Sequence, residues 1–130
     1  MILTAAMPFS FITFGNFSLG KLQAEQTIIV FWASWCGYCE KALPQIEQYA
    51  SLHPQTKVVA ISLDTNADDF EKAKAKYPHM IHYSDLKGWN SEYARIYNIN
   101  ATPTFYLLDS DKKIQGRFAD GSQILKMLPE

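Results

Sequence analysis

Two cysteines separated by two residues follow a buried strand, and this junction restricts the folds open to the chain more than any other feature. The run Thr27–Trp32 is β-branched and aromatic, which is typical of a strand covered on both faces. Cys36 and Cys39, the only cysteines, come next. Apolar residues then recur at helical spacing: Ala42, Leu43, Ile46 and Ala50. The pattern predicts a strand, a short loop and an amphipathic helix with the C-x-x-C pair at its start.

The rest of the chain alternates strand and helix signals. The first helix contains Pro44 and should kink there. It is followed by a predicted strand at 57–63, a helix that is capped by Asn66 and ends before Pro78, and a strand at 80–84. The remaining predicted elements are a helix capped by Asn90 or Ser91, a hairpin with strands at 104–108 and 114–118, and a helix at 122–128. The early strand–helix–strand units predict parallel pairing, and the hairpin predicts an antiparallel edge. The expected fold is α/β, a central mixed β-sheet flanked by helices on both faces.

Length and charge restrict the protein class. A chain of 130 residues with 48% apolar content fits one domain spanning 1–130. The net charge of −1 excludes the basic surface of a nucleic-acid binder. No charge precedes Lys21, but Pro8, Gly15 and several polar residues interrupt the apolar run. We therefore expect a folded N-terminal strand and hairpin there, with no signal peptide and no transmembrane segment.

The two cysteines occupy different positions on the predicted helix. The first turn of a helix presents unpaired N–H groups and the positive end of the dipole, which stabilise a thiolate. Cys36 is nearest this end, so we expect an exposed nucleophile there. Cys39, one turn later on the apolar face, is expected to be buried and to resolve a mixed disulfide. Gly37 would let a partner chain approach closely.

Zinc binding is an alternative use of the same cysteines. His79 and His82 could complete a four-ligand site with Cys36 and Cys39, although the two pairs are much farther apart in the chain than in a zinc finger. A structural disulfide is disfavoured because so short a loop removes little chain entropy. The residues thus favour thiol–disulfide chemistry and leave a zinc-binding structural module open.

Three segments resemble the thioredoxin superfamily. The stretch 31–39, Phe-Trp-Ala-Ser-Trp-Cys-Gly-Tyr-Cys, resembles the family's active-site segment, with Tyr38 in place of the usual proline. Pro44 matches the helix-kinking proline, and the stretch 101–104, Ala-Thr-Pro-Thr, resembles the cis-proline loop. The resemblance implies a thioredoxin fold and a cis Thr102–Pro103 bond beside the cysteines. It also implies the site residues: Cys36 and Cys39 as catalytic, and Trp35, Gly37, Tyr38, Thr102 and Pro103 as substrate-binding.

Within the superfamily, the chain is most similar to TlpA/ResA-like extracytoplasmic oxidoreductases, in the stretches 7–11 and 70–83. This resemblance implies a monomeric enzyme that exchanges disulfides with protein substrates and with a redox partner protein. It needs no metal and no cofactor beyond the Cys36–Cys39 disulfide. The direction, reductase or isomerase, stays open. The implied location is the bacterial periplasm or cell envelope, and the cytoplasm is the alternative because a C-x-x-C motif also serves cytosolic thioredoxins.

The chain departs from these families at the positions that handle protons. Thioredoxin's buried acid falls at Val30 and its lysine companion at Ala60, and the glutamate of ResA-like proteins falls at Ala42. Because these positions are apolar, we expect Cys39 to resolve the Cys36 mixed disulfide slowly at neutral pH. A third interpretation, a redox-inactive thioredoxin-fold interaction domain, also stays open. We further expect Trp32 in the core, Trp89 as a hydrophobic staple at a helix start, and the three histidines on the surface.

Overall fold

The computed structural model describes residues 8–130. The strands are β1 (Thr13–Phe14), β2 (Phe17–Ser18), β3 (Gln26–Trp32), β4 (Thr56–Ser62), β5 (Met80–Tyr83), β6 (Thr104–Leu108) and β7 (Ile114–Phe118). The α-helices are α1 (Gly37–Leu52), α2 (Ala67–Lys74), α3 (Glu92–Ile96) and α4 (Gly121–Leu125). Short 3-10 helices cover Phe9–Phe11, Leu19–Lys21 and Gly88–Asn90. Within the described residues, no helix is both long and apolar enough to cross a membrane.

The central sheet is five-stranded and mixed, in the order β5-β4-β3-β6-β7. The strand β4 pairs in parallel with β3 and with β5. The strand β6 pairs antiparallel with β3 and with β7. The central strand β3 is inaccessible to solvent from Thr27 to Phe31, as its unbroken apolar run predicts. Because β3 and β4 are parallel, their carboxyl ends, Trp32 and Ser62, lie at the same edge of the sheet. The predicted thioredoxin fold is confirmed, and this edge carries the cysteines.

Helix boundaries follow their capping residues. The Asn66 side chain accepts a hydrogen bond from the Asp69 N–H at 3.0 Å, which confirms the predicted start of α2. The last helix runs from 121 to 125 and is shorter than predicted, with the Asp120 side chain accepting from the Gln123 N–H at 2.9 Å. Pro44 lies inside α1, as predicted.

The N-terminal extension is an antiparallel hairpin of β1 and β2. Gly15 has a φ of +55° in its turn, a left-handed conformation that glycine adopts without steric cost. The Tyr93 hydroxyl attaches the hairpin to α3, because it donates to the Thr13 carbonyl at 2.7 Å and accepts from the Thr13 N–H at 3.0 Å. The predicted strand and hairpin are thus confirmed over the described part. The expectations for residues 1–7 lie outside it.

Candidate functional site

Cys36 is the N-cap of helix α1. The chain leaves β3 at Trp32, and Cys36 has an extended backbone, with φ −93° and ψ 113°. Its Sγ accepts a hydrogen bond from the Cys39 N–H at 3.2 Å, in the manner of a capping side chain. A sulfur in this position receives an otherwise unpaired N–H group and lies at the positive end of the helix dipole.

Both cysteines are free thiols, and both are buried. Cys36 is 6% exposed and Cys39 is 1% exposed. The expectation of an exposed Cys36 is therefore wrong, while that of a buried Cys39 is confirmed. The reason is that the Cys36 side chain turns inward, where its Sγ contacts the Cys39 N–H and donates to the Thr102 carbonyl at 3.5 Å. Cys36 still remains the more accessible of the two sulfurs.

The loop before β6 contacts this sulfur. The Thr102–Pro103 peptide bond is cis, as the resemblance implied. Pro103 is buried, and the Thr104 hydroxyl closes the loop by donating to the Ala101 carbonyl at 2.7 Å. The structure thus brings Thr102 and Pro103 to the C-x-x-C pair although they lie far away in sequence.

The environment of Cys39 disfavours its thiolate. Burial raises the pKa of the Cys39 thiol, and its hydrogen bond with the Cys36 side chain raises it further. Val30 and Ala60 face each other in the β3–β4 register, both inaccessible to solvent, and Ala42 is buried one turn after Cys39 on α1. The three positions that the resemblance assigns to proton handling are thus apolar in the folded protein, so none of them can accept the Cys39 proton.

A groove of about 500 Å³ opens beside the second half of the motif. Its walls come from α1, the cis-proline loop and the start of α4: Tyr38, Lys41, Ala42, Gln45, Ala101, Thr102, Pro103, Ala119, Asp120, Gly121 and Ser122. Tyr38 is 75% exposed at its rim. Of the five predicted substrate-binding residues, Tyr38, Thr102 and Pro103 meet in this groove. Gly37 is exposed, and a Cβ added to it would meet nothing within 4 Å.

Trp35 lies outside the groove and contacts another tryptophan. It is 56% exposed, as expected for a residue flanking the site, and its ring centroid is 6.3 Å from that of Trp89. Trp89 is 48% exposed, so its predicted role as a hydrophobic staple is wrong. The indole of Trp32, by contrast, is 1% exposed in the core, as predicted.

Asp64 is a site residue that sequence reasoning missed. Its carboxylate is 1% exposed and accepts from the Ser34 N–H at 3.1 and 3.2 Å, from the Ser34 hydroxyl at 2.5 Å and from the Ser62 hydroxyl at 2.5 Å. Ser34 lies in the loop that leads to Cys36, so Asp64 fixes that loop against the end of β4. The signal was available, since an acid directly follows a buried parallel strand at the edge where the cysteines were expected.

The histidines are not all surface groups. His79 is exposed and bonded to Glu47, but His82 on β5 is largely enclosed, with ring centroids 5.9 Å from Trp32 and 6.4 Å from Phe70. Its Nε2 pairs with the Tyr77 carbonyl at 2.9 Å. Burial is the main reason why the pKa of His82 is lowered. The surface assignment is therefore wrong for His82.

The zinc alternative receives no support from this geometry. Between residues 8 and 130, no three His, Cys, Asp or Glu side chains are close enough together to hold a metal ion. The His79 ring is paired with Glu47 and the His82 ring with a backbone carbonyl, so neither is directed at the cysteines as a ligand would be.

Comparison with known proteins gives a consistent set of relatives. A thioredoxin-like family model matches residues 23–114. A thioredoxin-like protein of Haemophilus influenzae is 37% identical over 100 residues, 75% of this chain and 58% of that protein. Sporulation thiol-disulfide oxidoreductase A of Bacillus subtilis is 33% identical over 102 residues, 72% of this chain and 58% of that protein. The chain thus spans somewhat more than half the length of these relatives.

Structural similarity extends further along the chain. The crystal structure of StoA from Bacillus subtilis superimposes with a TM-score of 0.68 and 26% identity, and the match covers 94% of this chain and 98% of that one. The relatives also include proteins named thiol-disulfide oxidoreductase ResA, which agrees with the predicted ResA-like character. With the family match covering most of its length, the chain belongs to the thioredoxin-like family.

Proposed function

We propose that this protein is a thiol–disulfide oxidoreductase that exchanges disulfides with polypeptide substrates through Cys36 and Cys39. One observation carries the proposal: the Cys36 Sγ caps helix α1 through the Cys39 N–H and also contacts the cis-proline loop at Thr102. This arrangement brings three groups together at one point: the nucleophile, a second thiol and a backbone segment that can pair with substrate. The names of the relatives, several of them thiol-disulfide oxidoreductases, support it.

In the reducing direction, the reaction has two steps. The Cys36 thiolate attacks one sulfur of a substrate disulfide, forms a Cys36–substrate mixed disulfide and releases the other substrate sulfur as a thiolate, which takes up a proton. Cys39 then loses its proton and attacks the Cys36 sulfur. The Cys36–Cys39 disulfide forms, and the second substrate thiol leaves. The substrate gains two electrons from the protein dithiol, and a dithiol of a redox partner protein would restore the reduced state.

The different environments of the two thiols assign these roles. Cys36 lies at the helix start and its sulfur accepts the Cys39 N–H, whereas burial raises the pKa of Cys39 and keeps it protonated during the first attack. Substrate would enter over Tyr38 and lie against Thr102 and Pro103, whose groove is large enough for several side chains. Trp35 and Gly37 would contact the substrate on the opposite side of the nucleophile.

The location is also a proposal. The resemblance to extracytoplasmic TlpA/ResA-like proteins supports the bacterial periplasm or cell envelope, where protein disulfides persist and need management. The direction of electron flow there depends on the reduction potential of the Cys36–Cys39 pair.

Reduction of insulin by dithiothreitol tests the proposed activity. We expect the wild-type protein to shorten the lag before the insulin B chain precipitates. Cys36→Ser should abolish this effect, because it removes the nucleophile. Ser51→Ala changes an exposed hydroxyl near the far end of α1 and serves as the control with unchanged activity. If the wild-type protein and Cys36→Ser have the same lag as the buffer, the proposed activity is wrong.

A further inference from the structure

Two exposed tryptophans lie side by side next to the nucleophile. Trp35 immediately precedes Cys36, and Trp89 comes from the 3-10 helix Gly88–Asn90, far away in sequence. Their ring centroids are 6.3 Å apart, with the planes inclined at 52°. About half of each side chain is exposed, 56% and 48% respectively. Large rings are seldom left this open in the absence of a partner, and tryptophan is enriched among the residues that dominate binding energy.

The segment that carries Trp89 is held by several hydrogen bonds. The Asp85 carboxylate accepts from the Lys87 N–H and from the Glu92 N–H, both at 3.1 Å, and so spans the turn. The Asn90 N–H donates to the Lys87 carbonyl at 3.0 Å. Trp89 is thus exposed on an ordered turn, and little loop entropy remains to be lost when a partner covers it.

This turn is also attached to the edge of the sheet where the cysteines lie. The Ser84 hydroxyl donates to the Ser62 carbonyl at the end of β4, at 3.2 Å. Gly88 has a φ of +60°, and a Cβ built on it would lie 2.9 Å from Cγ2 of Thr65, so the turn packs closely on the segment after β4. The position of Trp89 relative to Trp35 is therefore fixed through the framework of the fold.

The tryptophan pair is separate from the groove beside Tyr38, since neither indole lines that groove. Cys36 is only 6% exposed, so a substrate disulfide can reach it only at the small exposed part of its side chain. A polypeptide in that position extends past Trp35 on one side of its cysteine and past Tyr38 on the other. The residue that flanks the substrate cysteine on the Trp35 side would meet two indole faces, which favour aromatic and long aliphatic groups.

We propose that Trp35 and Trp89 form a recognition site for an aromatic or long aliphatic side chain next to the reactive cysteine of a polypeptide disulfide. This inference rests on the proposed function and names its substrate class. Trp89 acts as a specificity-determining residue, because it touches the substrate but none of the reacting sulfurs. The site distinguishes polypeptide substrates with an apolar flank from those with a small polar flank.

Three disulfide-looped peptides test the site. They differ only at the residue that flanks one cysteine, which is phenylalanine, serine or arginine. We expect the wild-type protein to reduce the phenylalanine peptide with a kcat/KM about ten times that of the serine peptide, a ratio typical of one buried aromatic contact. Trp89→Ala should lower this ratio to about one, whereas Trp89→Phe should retain most of it.

The control variant is Leu52→Ala. Leu52 is 68% exposed at the last residue of α1, roughly 22 Å from the motif at 1.5 Å per residue, so removal of its side chain should leave the ratio unchanged. The proposal is overturned if folded Trp89→Ala preserves the phenylalanine-to-serine ratio of kcat/KM. It is also overturned if folded Trp89→Phe loses that ratio. Preference for the arginine peptide would overturn the apolar substrate class, because indole faces also bind cations. If the wild-type protein reduces none of the three peptides and does not reduce the small hydroxyethyl disulfide either, the proposed function is instead contradicted.

Discussion

The backbone N–H of Cys39 donates to the Sγ of Cys36 at 3.2 Å, so the proposed nucleophile caps the helix that carries the proposed resolving thiol. One turn of helix therefore separates two chemically different thiols. The first accepts the Cys39 N–H at the helix start, and the second lies in the core, where burial raises its pKa. The order of events in disulfide exchange follows from this difference.

Alkylation should distinguish the two thiols. We expect iodoacetamide at pH 6 to label Cys36 well before Cys39, because Cys36 is the more exposed of the two residues and Cys39 is 1% exposed with a raised pKa. Both cysteines lie on the tryptic peptide 22–41, so fragmentation of this peptide by tandem mass spectrometry after timed quenching measures both rates. Unfolded protein in guanidinium chloride is the control, in which the difference should disappear. Faster labelling of Cys39 in the native protein would reverse the assignment of roles.

Resolution of the mixed disulfide should be slow at neutral pH. Cys39 must lose its proton to attack, its pKa is raised, and Val30, Ala42 and Ala60 supply no base. The rate should therefore keep rising as the pH increases through the alkaline range. Stopped-flow thiol exchange from pH 5 to 10 measures it. An inflection near neutrality in the wild-type protein would reveal a base close to Cys39 and contradict this expectation.

A base introduced at Val30 should speed this step. Val30→Asp places a carboxyl group where burial raises its pKa, so that it can accept the Cys39 proton near neutrality. We expect a faster resolution phase at pH 7 and a loss of about 1–3 kcal/mol in the free energy of unfolding, because the polar group has no partner there. Val30→Asn has similar size and polarity but cannot accept a proton. Equal acceleration by both variants would mean that proton transfer is not the cause.

Much of this organisation could be predicted from the chain itself. The run Thr27–Trp32 and the helical spacing after Cys39 indicated the strand, the helix and their junction, because local pattern determines such elements. The inward rotation of the Cys36 side chain depends on the distant Thr102 carbonyl, which no local pattern reveals. The burial of His82 likewise depends on Trp32 and Phe70, which come from other elements. The exposure of Cys36 and His82 therefore differs from the prediction because tertiary contacts, which local sequence patterns do not show, decide how far a side chain is exposed.

The Asp64 carboxylate should stabilise the loop that leads to Cys36. Asp64→Ala leaves the Ser34 N–H, the half-buried Ser34 hydroxyl and the buried Ser62 hydroxyl without their acceptor, so we expect a loss of about 2–4 kcal/mol in the free energy of unfolding. Urea unfolding measures it. Asp111→Ala, at an exposed turn, should change stability by less than about 0.5 kcal/mol. Similar values for the two variants would remove the structural role assigned to Asp64.

His82 should make the fold less stable in acid. Burial and the charge of Lys74 lower its pKa in the folded state, and these effects outweigh the Tyr77 carbonyl, Glu47 and Glu71, which raise it. The unfolded chain then binds the proton more tightly than the folded one. The contribution of His82 to stability is complete above its unfolded pKa of about 6.5 and is lost as the pH falls through the lower folded value.

Urea unfolding between pH 7.5 and 5 measures this effect. The free energy of unfolding should fall less steeply with decreasing pH in His82→Gln than in the wild-type protein, because glutamine keeps an amide donor for the Tyr77 carbonyl but does not titrate. His79→Gln measures separately the contribution of the exposed His79–Glu47 pair. An unchanged slope in His82→Gln would show that another group causes the acid sensitivity.

Trapping the reaction intermediate tests the central claim most directly. Reduced Cys39→Ser is mixed with a peptide disulfide, quenched with acid and digested, and the sulfur that carries the peptide is identified by mass spectrometry. We expect a stable mixed disulfide on Cys36, because serine cannot resolve it, and no adduct with Cys36→Ser over the same period. A Cys39→Ser protein that remains folded but forms no adduct, or a Cys36→Ser protein that forms one at the same rate through Cys39, would show that Cys36 is not the nucleophile.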